Sequence, residues 1–287
     1  MARRVLVVAN ETHGGRSLVD AIRARHEAGD ADFVVIAPQN RPHSGYVIYD
    51  DAVRDAAQMR INETLDAIRE HGISAIGDVM DPDPYTATLD AVREYRIDEI
   101  ILSTHPETRS GWLRHDLIER LEHATGLPIQ HVVVDVEAER EKNPEKHTLI
   151  VTNKTARCEA LFEDLRRRAS ESPHRFLVVV PQEGGHGHHI EQAKARLQTL
   201  LDRLAREGIP AMGGIGDPDP YAAVANALQF HRVDEVVIAT LPQMRSRWLR
   251  SDLIGRVQKI TAAPVEHIEI DVSEAESAPA QSGAKAA

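Results

Sequence analysis

The sequence predicts an α/β protein made of two tandem copies of one domain, each a doubly wound parallel sheet of five strands. The first observation behind this prediction is a repeat, because the segment DPDPY at positions 81–85 returns at positions 217–221. When the copies are aligned on these two segments, 26 of the 59 positions from Gly77 to Asp135 are identical in the second copy. A period of this length matches a whole domain and exceeds the unit of a solenoid.

The second observation is that the amino-terminal parts of the copies also match, in a slightly different alignment. Asn10 and Thr12 correspond there to Asn153 and Thr155. The third observation is an alternation of short apolar runs with segments of helical spacing, which is typical of strands and helices in a parallel sheet. We therefore expect two similar sheets related by a pseudo-twofold axis.

In the first copy the predicted strands are apolar runs of the kind that a parallel sheet covers on both faces. They are Val5–Ala9, Phe33–Ala37, Ile73–Val79, Glu99–Leu102 and Ile129–Val134. The predicted helices between them are Leu18–Arg25, Asp51–Glu70, Pro84 to about Tyr95, and Ser110–His123. Asp83 is expected to cap the third helix, with Pro84 at its first position. The second copy repeats this order from Thr148 to Asp271.

The repeat also sets the expected domain boundaries, at 1–136 for the first domain and 148–272 for the second. The charged segment 137–147 is interpreted as a linker, and 273–287, rich in Ala, Ser, Glu and Pro, as a disordered tail. The two fifth strands, 129–134 and 265–270, are expected to pair antiparallel within the chain. That intrachain pseudo-dimer would join the two sheets into one continuous sheet.

Composition describes an ordinary globular protein, with 42% hydrophobic and 28% charged residues. A net charge of −11 argues against nucleic acid and anionic membrane as partners, since both need a basic face. No apolar run reaches membrane-spanning length, and the first residues resemble a strand more than a signal peptide. The single cysteine, Cys158, excludes an intrachain disulfide and fits a reducing cytoplasm, which is the expected location.

Ligands of doubly wound sheets bind beyond the carboxyl ends of the strands, where the strand order reverses. The loops after strands one, three and four carry polar residues that recur between the copies. The candidate ligand-binding residues are Asn10, Thr12, Asp81, Thr104, Arg109 and Ser110 in the first copy, and Asn153, Thr155, Asp217, Thr240, Arg245 and Ser246 in the second.

With these loops, the chain resembles the universal stress protein family over nearly all of both copies. The order of elements, the segment after strand three and the segment Leu127-Pro128-Ile129 are similar to that family, which implies an adenine nucleotide alpha hydrolase-like fold. The family's nucleotide motif, Gly-x2-Gly-x9-Gly followed by Ser or Thr, is not intact. Its positions fall on Ser103, Pro106 and Asp116-Leu117, or on Ala239, Pro242 and Asp252-Leu253. Asn10 and Asn153 stand where the family has an acidic residue that meets adenine.

These departures remove the ordinary cradle for ATP, because proline offers no backbone N–H and an aspartate would repel phosphate oxygens. Arg109 or Arg245, beside a helix that Ser110 or Ser246 can cap, would bind an anion by another route. A structural alternative stays open, in which Arg109 pairs with an aspartate of the neighbouring DPDP segment and locks the two loops together.

Structural roles are expected for other recurring residues. Asp81 and Asp217 are interpreted chiefly as turn and helix-entry residues, with ligand contact as the lesser alternative. Trp112 and Trp248, beside leucines on a helix, are interpreted as core anchors. The histidine-rich segment 184–189 is interpreted as a solvated loop, so no metal site is expected.

Two functions agree with these patterns. The first hypothesis is a universal stress protein-like binding protein that senses ATP, another adenine nucleotide or a related small anion in a stress response. The alternative is a protein interaction module that kept the fold and lost the nucleotide. No catalytic constellation is recognisable, so an enzyme is disfavoured and ATP turnover is expected to be negligible. The expected partners are a nucleotide or an unidentified protein, and a homo-oligomer stays open.

Overall fold

The computed structural model describes residues 2–9, 15–38, 50–105, 116–135, 138, 145–182, 187–242 and 246–270. The chain divides into two units. Unit 1 comprises Met1–Pro144 with Gln229–Arg232, and unit 2 comprises Glu145–Leu228 with Val233–Ala287. Most of the predicted linker 137–147 and all of the predicted tail 273–287 lie outside the described residues.

In the described part of unit 1, five strands and four helices alternate along the chain. The strands are β1 (Arg3–Val8), β2 (Ala31–Pro38), β3 (Ala75–Met80), β4 (Glu99–Thr104) and β5 (Ile129–Val133). The helices are α1 (Arg16–Glu27), α2 (Asp50–Arg69), α3 (Pro84–Tyr95) and α4 (Leu117–Thr125). Every strand predicted for this copy is present close to its predicted bounds.

Unit 2 repeats this order. Its strands are β6 (Lys146–Val151), β7 (His174–Pro181), β8 (Ala211–Gly216), β9 (Glu235–Thr240) and β10 (Val265–Glu269). Its described helices are α5 (Glu159–Glu171), α6 (Gly187–Arg206), α7 (Pro220–Phe230), α8 (Arg247–Arg250) and α9 (Leu253–Gln258), with a 3-10 helix at Lys154–Arg157. β6 begins at Lys146, ahead of the predicted start of the second domain at 148. None of the described helices in either unit is long and apolar enough to cross a membrane.

The two sheets have the same strand order and are parallel throughout. The order is β3-β2-β1-β4-β5 in unit 1 and β10-β9-β6-β7-β8 in unit 2. In each sheet the first strand of the unit lies between the second and the fourth, so the strand order reverses there. The predicted fold class, two doubly wound five-stranded sheets in tandem, is confirmed.

After their first residues the central strands are mostly apolar, because helices cover both faces of each sheet. In β1, Val5 and Val7 pack into a core formed with α1 and α2, whereas Leu6 and Val8 pack into a core formed with α3 and α4. All four side chains are fully buried. A continuous apolar run, and not an alternating one, is therefore the sequence signal for such a strand.

The amino-terminal cap of α3 is confirmed. The Asp83 carboxylate accepts hydrogen bonds from the backbone N–H of Thr86 at 3.0 Å and from its hydroxyl at 2.8 Å. Pro84 occupies the first helical position, where its missing N–H leaves no hydrogen bond unmade. The turn after the third strand thus passes directly into a helix that leads away from the carboxyl edge of the sheet.

The prediction of one continuous fourth helix is wrong in its bounds. In unit 2 the segment forms two pieces, α8 and α9, separated by Ser251 and Asp252. Asp252 has a left-handed φ of 51°, and its counterpart Asp116, with a φ of 49°, directly precedes α4. A residue in that conformation cannot continue a right-handed helix, and apolar spacing does not reveal it. Residues 106–115 lie outside the described part of the chain.

The described residues form two five-stranded sheets, in which β5 pairs with β4 and β10 pairs with β9. The expected pairing of the two fifth strands, which would join the sheets of the two units, stays a prediction.

An arginine ion pair recurs at the amino-terminal edge of both sheets, opposite to the edge where a ligand is expected. In unit 1, the half-buried Arg25 of α1 pairs with Glu99, the first residue of β4. In unit 2, the corresponding Arg168 of α5 is buried and pairs with Glu235, the first residue of β9, at 2.6 Å. These pairs fasten the first helix of each unit to the fourth strand, and the sequence analysis did not identify them.

Candidate ligand-binding site

A cavity of about 410 Å³ lies beyond the carboxyl ends of the central strands of unit 2. Its described walls come from the ends of β7 and β9, from the segments that follow β6, β7 and β9, from Pro218 after β8, and from the start of α8. Four of the six residues predicted for this copy line it, namely Asn153, Thr155, Thr240 and Ser246. The volume falls within the ~300–1,000 Å³ typical of small-molecule sites.

The strand order explains why the cavity forms at this place. β6 lies between β7 and β9, so the segments that leave these strands diverge toward different faces of the sheet. Divergent connections leave a crevice at the carboxyl edge, which is where the sequence analysis placed the site.

The side-chain amide of Asn153 is used within the protein. Its Nδ2 donates to the carbonyl oxygen of Pro181 at 2.9 Å, and its Oδ1 accepts from Arg196 of α6. In unit 1 the corresponding arginine, Arg60 of α2, donates to the carbonyl oxygen of Pro38 at 2.8 Å. An arginine of the long second helix therefore fastens the carboxyl end of the second strand, directly in unit 1 and through Asn153 in unit 2.

The predicted threonines are also used by the fold. Thr155 Oγ1 lies 2.8 Å from Thr152 Oγ1 and donates to the carbonyl oxygen of Ala239 at 3.0 Å, which ties the segment after β6 to β9. Thr240 Oγ1 lies 2.8 Å from Nε2 of His267 on β10. Both Thr155 and Thr240 are almost fully buried, so their hydroxyl groups shape the cavity wall.

Ser246 caps the short helix α8, as the sequence analysis expected. Its hydroxyl accepts from the backbone N–H of Leu249 at 3.4 Å, and its own N–H donates to the carbonyl oxygen of Pro242 at 3.0 Å. The loop after β9 therefore bonds to itself, and Pro242 contributes no N–H to the cavity. Of the described residues of this loop, Pro242 and Ser246 therefore offer no backbone N–H to a ligand.

The DPDP segment is held by local hydrogen bonds in both units. The Asp81 carboxylate accepts from the N–H of Asp83 at 2.8 Å, and the Asp217 carboxylate accepts from the N–H of Asp219 at 2.8 Å. Burial raises the pKa of Asp217, and the hydrogen bond from Asp219 opposes that rise. These contacts agree with the turn and helix-entry interpretation, and only the adjacent Pro218 lines the cavity.

The tyrosine of the DPDPY segment also has a structural partner. The Tyr221 ring lies 4.1 Å from the guanidinium carbon of Arg256, and the Tyr85 ring lies 4.1 Å from that of Arg120. A cation over an aromatic face is attracted by the quadrupole of the ring. The recurrence of Tyr and Arg between the copies thus reflects a contact between the third and fourth helical segments.

The polar groups most suited to a ligand are residues that the sequence analysis did not select. Lys154 and Arg247 bring two cations to the cavity wall, and no carboxylate is present among its described lining residues. Gln182, which follows β7, also lines the cavity and is only 3% exposed. Its Nε2 is buried without a hydrogen-bond partner among the described residues.

The interpretation of Trp248 as a core anchor is wrong. Trp248 is half-buried and lines the cavity, and α8 contributes no buried residue. Its four-residue helix is too short to present an apolar stripe to the core, which explains the difference. Trp112, its counterpart in the first copy, lies outside the described residues.

Comparison of the two copies could have identified some of the residues that the sequence analysis did not select. The dipeptide Pro-Gln recurs at positions 38–39 and 181–182, in the alignment of the amino-terminal parts, and marks Gln182. Arg60 and Arg196 likewise recur, in the alignment that relates the two DPDPY segments. Lys154 and Arg247 have no cationic counterparts, so recurrence could not have found them.

Part of the predicted site lies outside the described residues, namely Asn10, Thr12, Arg109 and Ser110 of the first copy and Arg245 of the second. The described residues contain no group of three or more His, Cys, Asp or Glu side chains that could hold a metal ion. The side chains of the histidine-rich segment 184–189 lie outside this part of the chain.

Comparison with solved structures finds similarity to universal stress proteins of Archaeoglobus fulgidus. One aligns over 94% of this chain and 97% of its own, with 13% identity and a TM-score of 0.36. Another aligns over 46% of this chain and 94% of its own, with 13% identity and a TM-score of 0.34. A hexameric APS kinase from Thiobacillus denitrificans aligns over 95% of this chain and 60% of its own, with 11% identity and a TM-score of 0.33.

No family model and no curated protein matches the chain. The resemblance noted in the sequence predicts two parallel five-stranded sheets in tandem, and the described residues have that form.

Proposed function

We propose that this chain is a universal stress protein-like binding protein, whose second unit binds an adenine nucleotide or a related small anion in the cavity beyond β6, β7 and β9. The observation that carries the proposal is the charge of the cavity wall. Lys154 and Arg247 line it, with no carboxylate among the described lining residues, in a chain of net charge −11. Such a local excess of positive charge favours an anionic ligand.

The remainder of the wall suits a flat ring. Trp248 supplies an aromatic side chain, and Pro181 and Leu241 supply apolar surface. Ligand sites typically combine apolar walls with a few polar groups that fix orientation. A ligand with a planar ring and an anionic group, such as a nucleotide, matches both parts of this wall.

The anion is expected to accept hydrogen bonds from side chains more than from backbone N–H groups. Pro242 has no N–H, and the N–H of Ser246 is already bonded to the carbonyl oxygen of Pro242. Lys154 and Arg247 would therefore supply the charge-assisted hydrogen bonds that glycine-rich loops supply elsewhere. The adenine base and the role in a stress response are proposed because the sequence resembles the universal stress protein family.

Calorimetric titration with AMP, ADP and ATP tests the proposal directly. The wild-type protein is expected to bind at least one of them. Replacing Lys154 and Arg247 together by Ala should weaken binding by about 1.5–3 kcal/mol per lost charge-assisted contact. The matched control is Arg250→Ala, because Arg250 is an exposed arginine on the same helix α8 and does not line the cavity.

Arg250→Ala should bind with wild-type affinity. If it weakens binding as much as the double variant does, the effect is general electrostatics and the cavity is not the site. If the wild-type protein gives no heat at millimolar nucleotide, the proposal fails. The interaction module on the same fold would then be the better hypothesis.

A further inference from the structure

We propose that a second cavity of unit 2, at the amino-terminal edge of its sheet, binds a small alkyl amine in its protonated form. This second cavity has a volume of about 380 Å³, within the ~300–1,000 Å³ typical of small-molecule sites. Its walls come from the end of α5, the start of β7, the turn after α6 and the residue before β6. It lies at the edge opposite to the proposed nucleotide site and does not depend on that site.

The state of the His174 ring is the first observation. The residue lines the second cavity and is only 6% exposed, and its ring stacks on Phe176 with the centroids 5.6 Å apart. Its Nδ1 lies 2.8 Å from the carbonyl oxygen of Ser172, and because a carbonyl only accepts, Nδ1 carries the proton of the neutral ring. Nε2 then holds a lone pair, has no hydrogen-bond partner in the described part of the chain, and is not sealed from the cavity. A ligand that donates a hydrogen bond can therefore reach it.

The carboxyl end of α5 adds further acceptors. Ala169 and Ser170 line the second cavity and belong to the last turn of this helix. The last carbonyl groups of an α-helix lack partners within the helix, and the helix dipole places partial negative charge there. Both effects favour a cation that donates hydrogen bonds.

The charged side chains of the wall favour a cation as well. Two carboxylates, of Glu145 and Glu207, and one guanidinium, of Arg166, line the second cavity. Arg166 is occupied, because its Nε and Nη2 donate to the two carboxylate oxygens of Glu207 at 2.9 and 3.0 Å. The hydrogen bond from His147 and the charge of Arg175 lower the pKa of Glu145, so its carboxylate stays ionised at neutral pH. Neither of these two cationic side chains lines the cavity.

The rest of the wall suits the methylene groups of an alkyl chain. Pro173, Ile209 and Pro210 supply apolar surface beside the acceptors. A ligand with an ammonium group and a short apolar body matches both parts of the second cavity.

The first copy shows that the fold does not need these acceptors. His174 corresponds to Ala31 in the alignment of the amino-terminal parts, and Glu207 corresponds to His71 in the alignment of the DPDPY segments. The same strand and turn form in unit 1 without an imidazole or a carboxylate at these positions. The acceptors therefore belong to the second copy alone.

The test uses 1,4-diaminobutane as the probe and 1,4-butanediol as its uncharged control of the same length. In calorimetric titration at neutral pH, the wild-type protein should bind the diamine and not the diol. In a nitrogen-15 NMR spectrum of the histidine side chains, the Nε2 resonance of His174 should move when the diamine is added, because Nε2 then accepts a hydrogen bond.

Two variants test the wall. His174→Phe keeps a ring to stack on Phe176 and removes the acceptor, and Glu207→Gln removes one carboxylate. Each should weaken binding of the diamine roughly tenfold. The matched control is Glu163→Gln, because Glu163 is exposed on the same helix α5 and does not line the second cavity. It should bind the diamine with wild-type affinity.

The proposal is overturned if the wild-type protein binds the diol as well as the diamine, or binds neither. Equal losses in Glu163→Gln and Glu207→Gln would also overturn it, since the diamine would then respond to overall net charge. An unmoved Nε2 resonance, or wild-type affinity in His174→Phe, would remove His174 from the site and the site with it. If His174→Phe does not fold, the resonance of the wild-type protein and Glu207→Gln still decide. Nucleotide binding enters none of these results, so the proposed function stands or falls separately.

Discussion

Thr104 and Thr240 show how a recurring residue can serve the fold. Each is the last residue of the fourth strand of its unit and bonds to a histidine on the fifth strand. The distance from Thr104 Oγ1 to Nε2 of His131 is 2.8 Å, and the distance from Thr240 Oγ1 to Nε2 of His267 is also 2.8 Å. Recurrence of these residues therefore indicates a hydrogen bond that ties two strands together at the carboxyl edge.

The pair in unit 2 predicts a pH dependence of stability. Partial desolvation lowers the pKa of His267, whose side chain is still largely exposed, from its ordinary 6.5, and the carboxylate of Glu269 opposes that shift. The unfolded chain therefore takes up a proton at a higher pH than the folded chain does. The stability that the neutral imidazole contributes is complete above pH 6.5 and is lost as the pH falls below it.

Urea unfolding at a series of pH values, from 8 to about 5, measures this contribution. His267→Gln should flatten the fall in the free energy of unfolding on the acid side. His71→Gln, in the exposed turn after α2, is the control and should leave the curve unchanged. An identical acid-side fall in wild type and His267→Gln would contradict the prediction.

At the scale of elements, the buried arginine of α5 holds unit 2 together at its amino-terminal edge. Arg168 is 5% exposed and pairs with Asp164 of its own helix, Glu235 of β9 and Glu266 of β10. Burial opposes the ionised form of Glu235, but the hydrogen bond and charge of Arg168 outweigh it and leave the pKa of Glu235 below its ordinary value. One side chain thus joins a helix to two strands.

Removing that side chain should be strongly destabilising. Arg168→Met removes a buried guanidinium and leaves the half-buried carboxylate of Glu235 without its ion-pair partner, and breaking a buried pair in this way typically costs about 3–5 kcal/mol. Arg167→Met is the matched control, because the adjacent Arg167 is 53% exposed and pairs with Asp164 and Glu171 at the surface. Exposed pairs contribute about 0–1 kcal/mol. Chemical denaturation measures the free energy of unfolding of both variants. Similar losses in the two would show that the buried ion pairs of Arg168 stabilise the protein no more than the exposed pairs of Arg167.

At the scale of the whole molecule, the two copies have kept the fold and diverged in the charge of their carboxyl edges. Lys154 corresponds to Glu11 in the first copy, and Arg247 corresponds to Gly111. The two cations that support the proposed anion site therefore belong to the second copy alone. Contacts that stabilise the sheets, such as the threonine–histidine hydrogen bond between the fourth and fifth strands, recur in both units.

This divergence predicts one bound nucleotide per chain, in unit 2. Native mass spectrometry and the stoichiometry of the calorimetric titration should both give one. Lys154→Glu combined with Arg247→Gly, which gives the second copy the residues of the first, should abolish binding because it reverses the charge of the wall. Lys259→Glu, at an exposed position after α9, is the control and should still bind. Two nucleotides per chain would contradict the assignment to unit 2.

The sequence by itself determined the architecture of this protein. A repeat as long as a whole domain requires two copies of that domain, and continuous apolar runs separated by helical segments require parallel strands covered on both faces. Right-handed crossovers limit the possible topologies of such a sheet, so a crevice at its carboxyl edge could be predicted before any contact was known. Asp83 and Ser246 were also predictable as caps, because capping depends on local sequence.

Only the tertiary structure decided which polar residues at the carboxyl edge have hydrogen-bond partners within the fold. Asn153 and Thr240 look like site residues in the sequence, but their partners, Arg196 and His267, lie on other elements. The unpaired amide of Gln182 is visible only once the side chains around it are in place. Hydrogen-bond partners and burial depend on residues far apart in the chain, and periodicity reports only the face on which a residue lies.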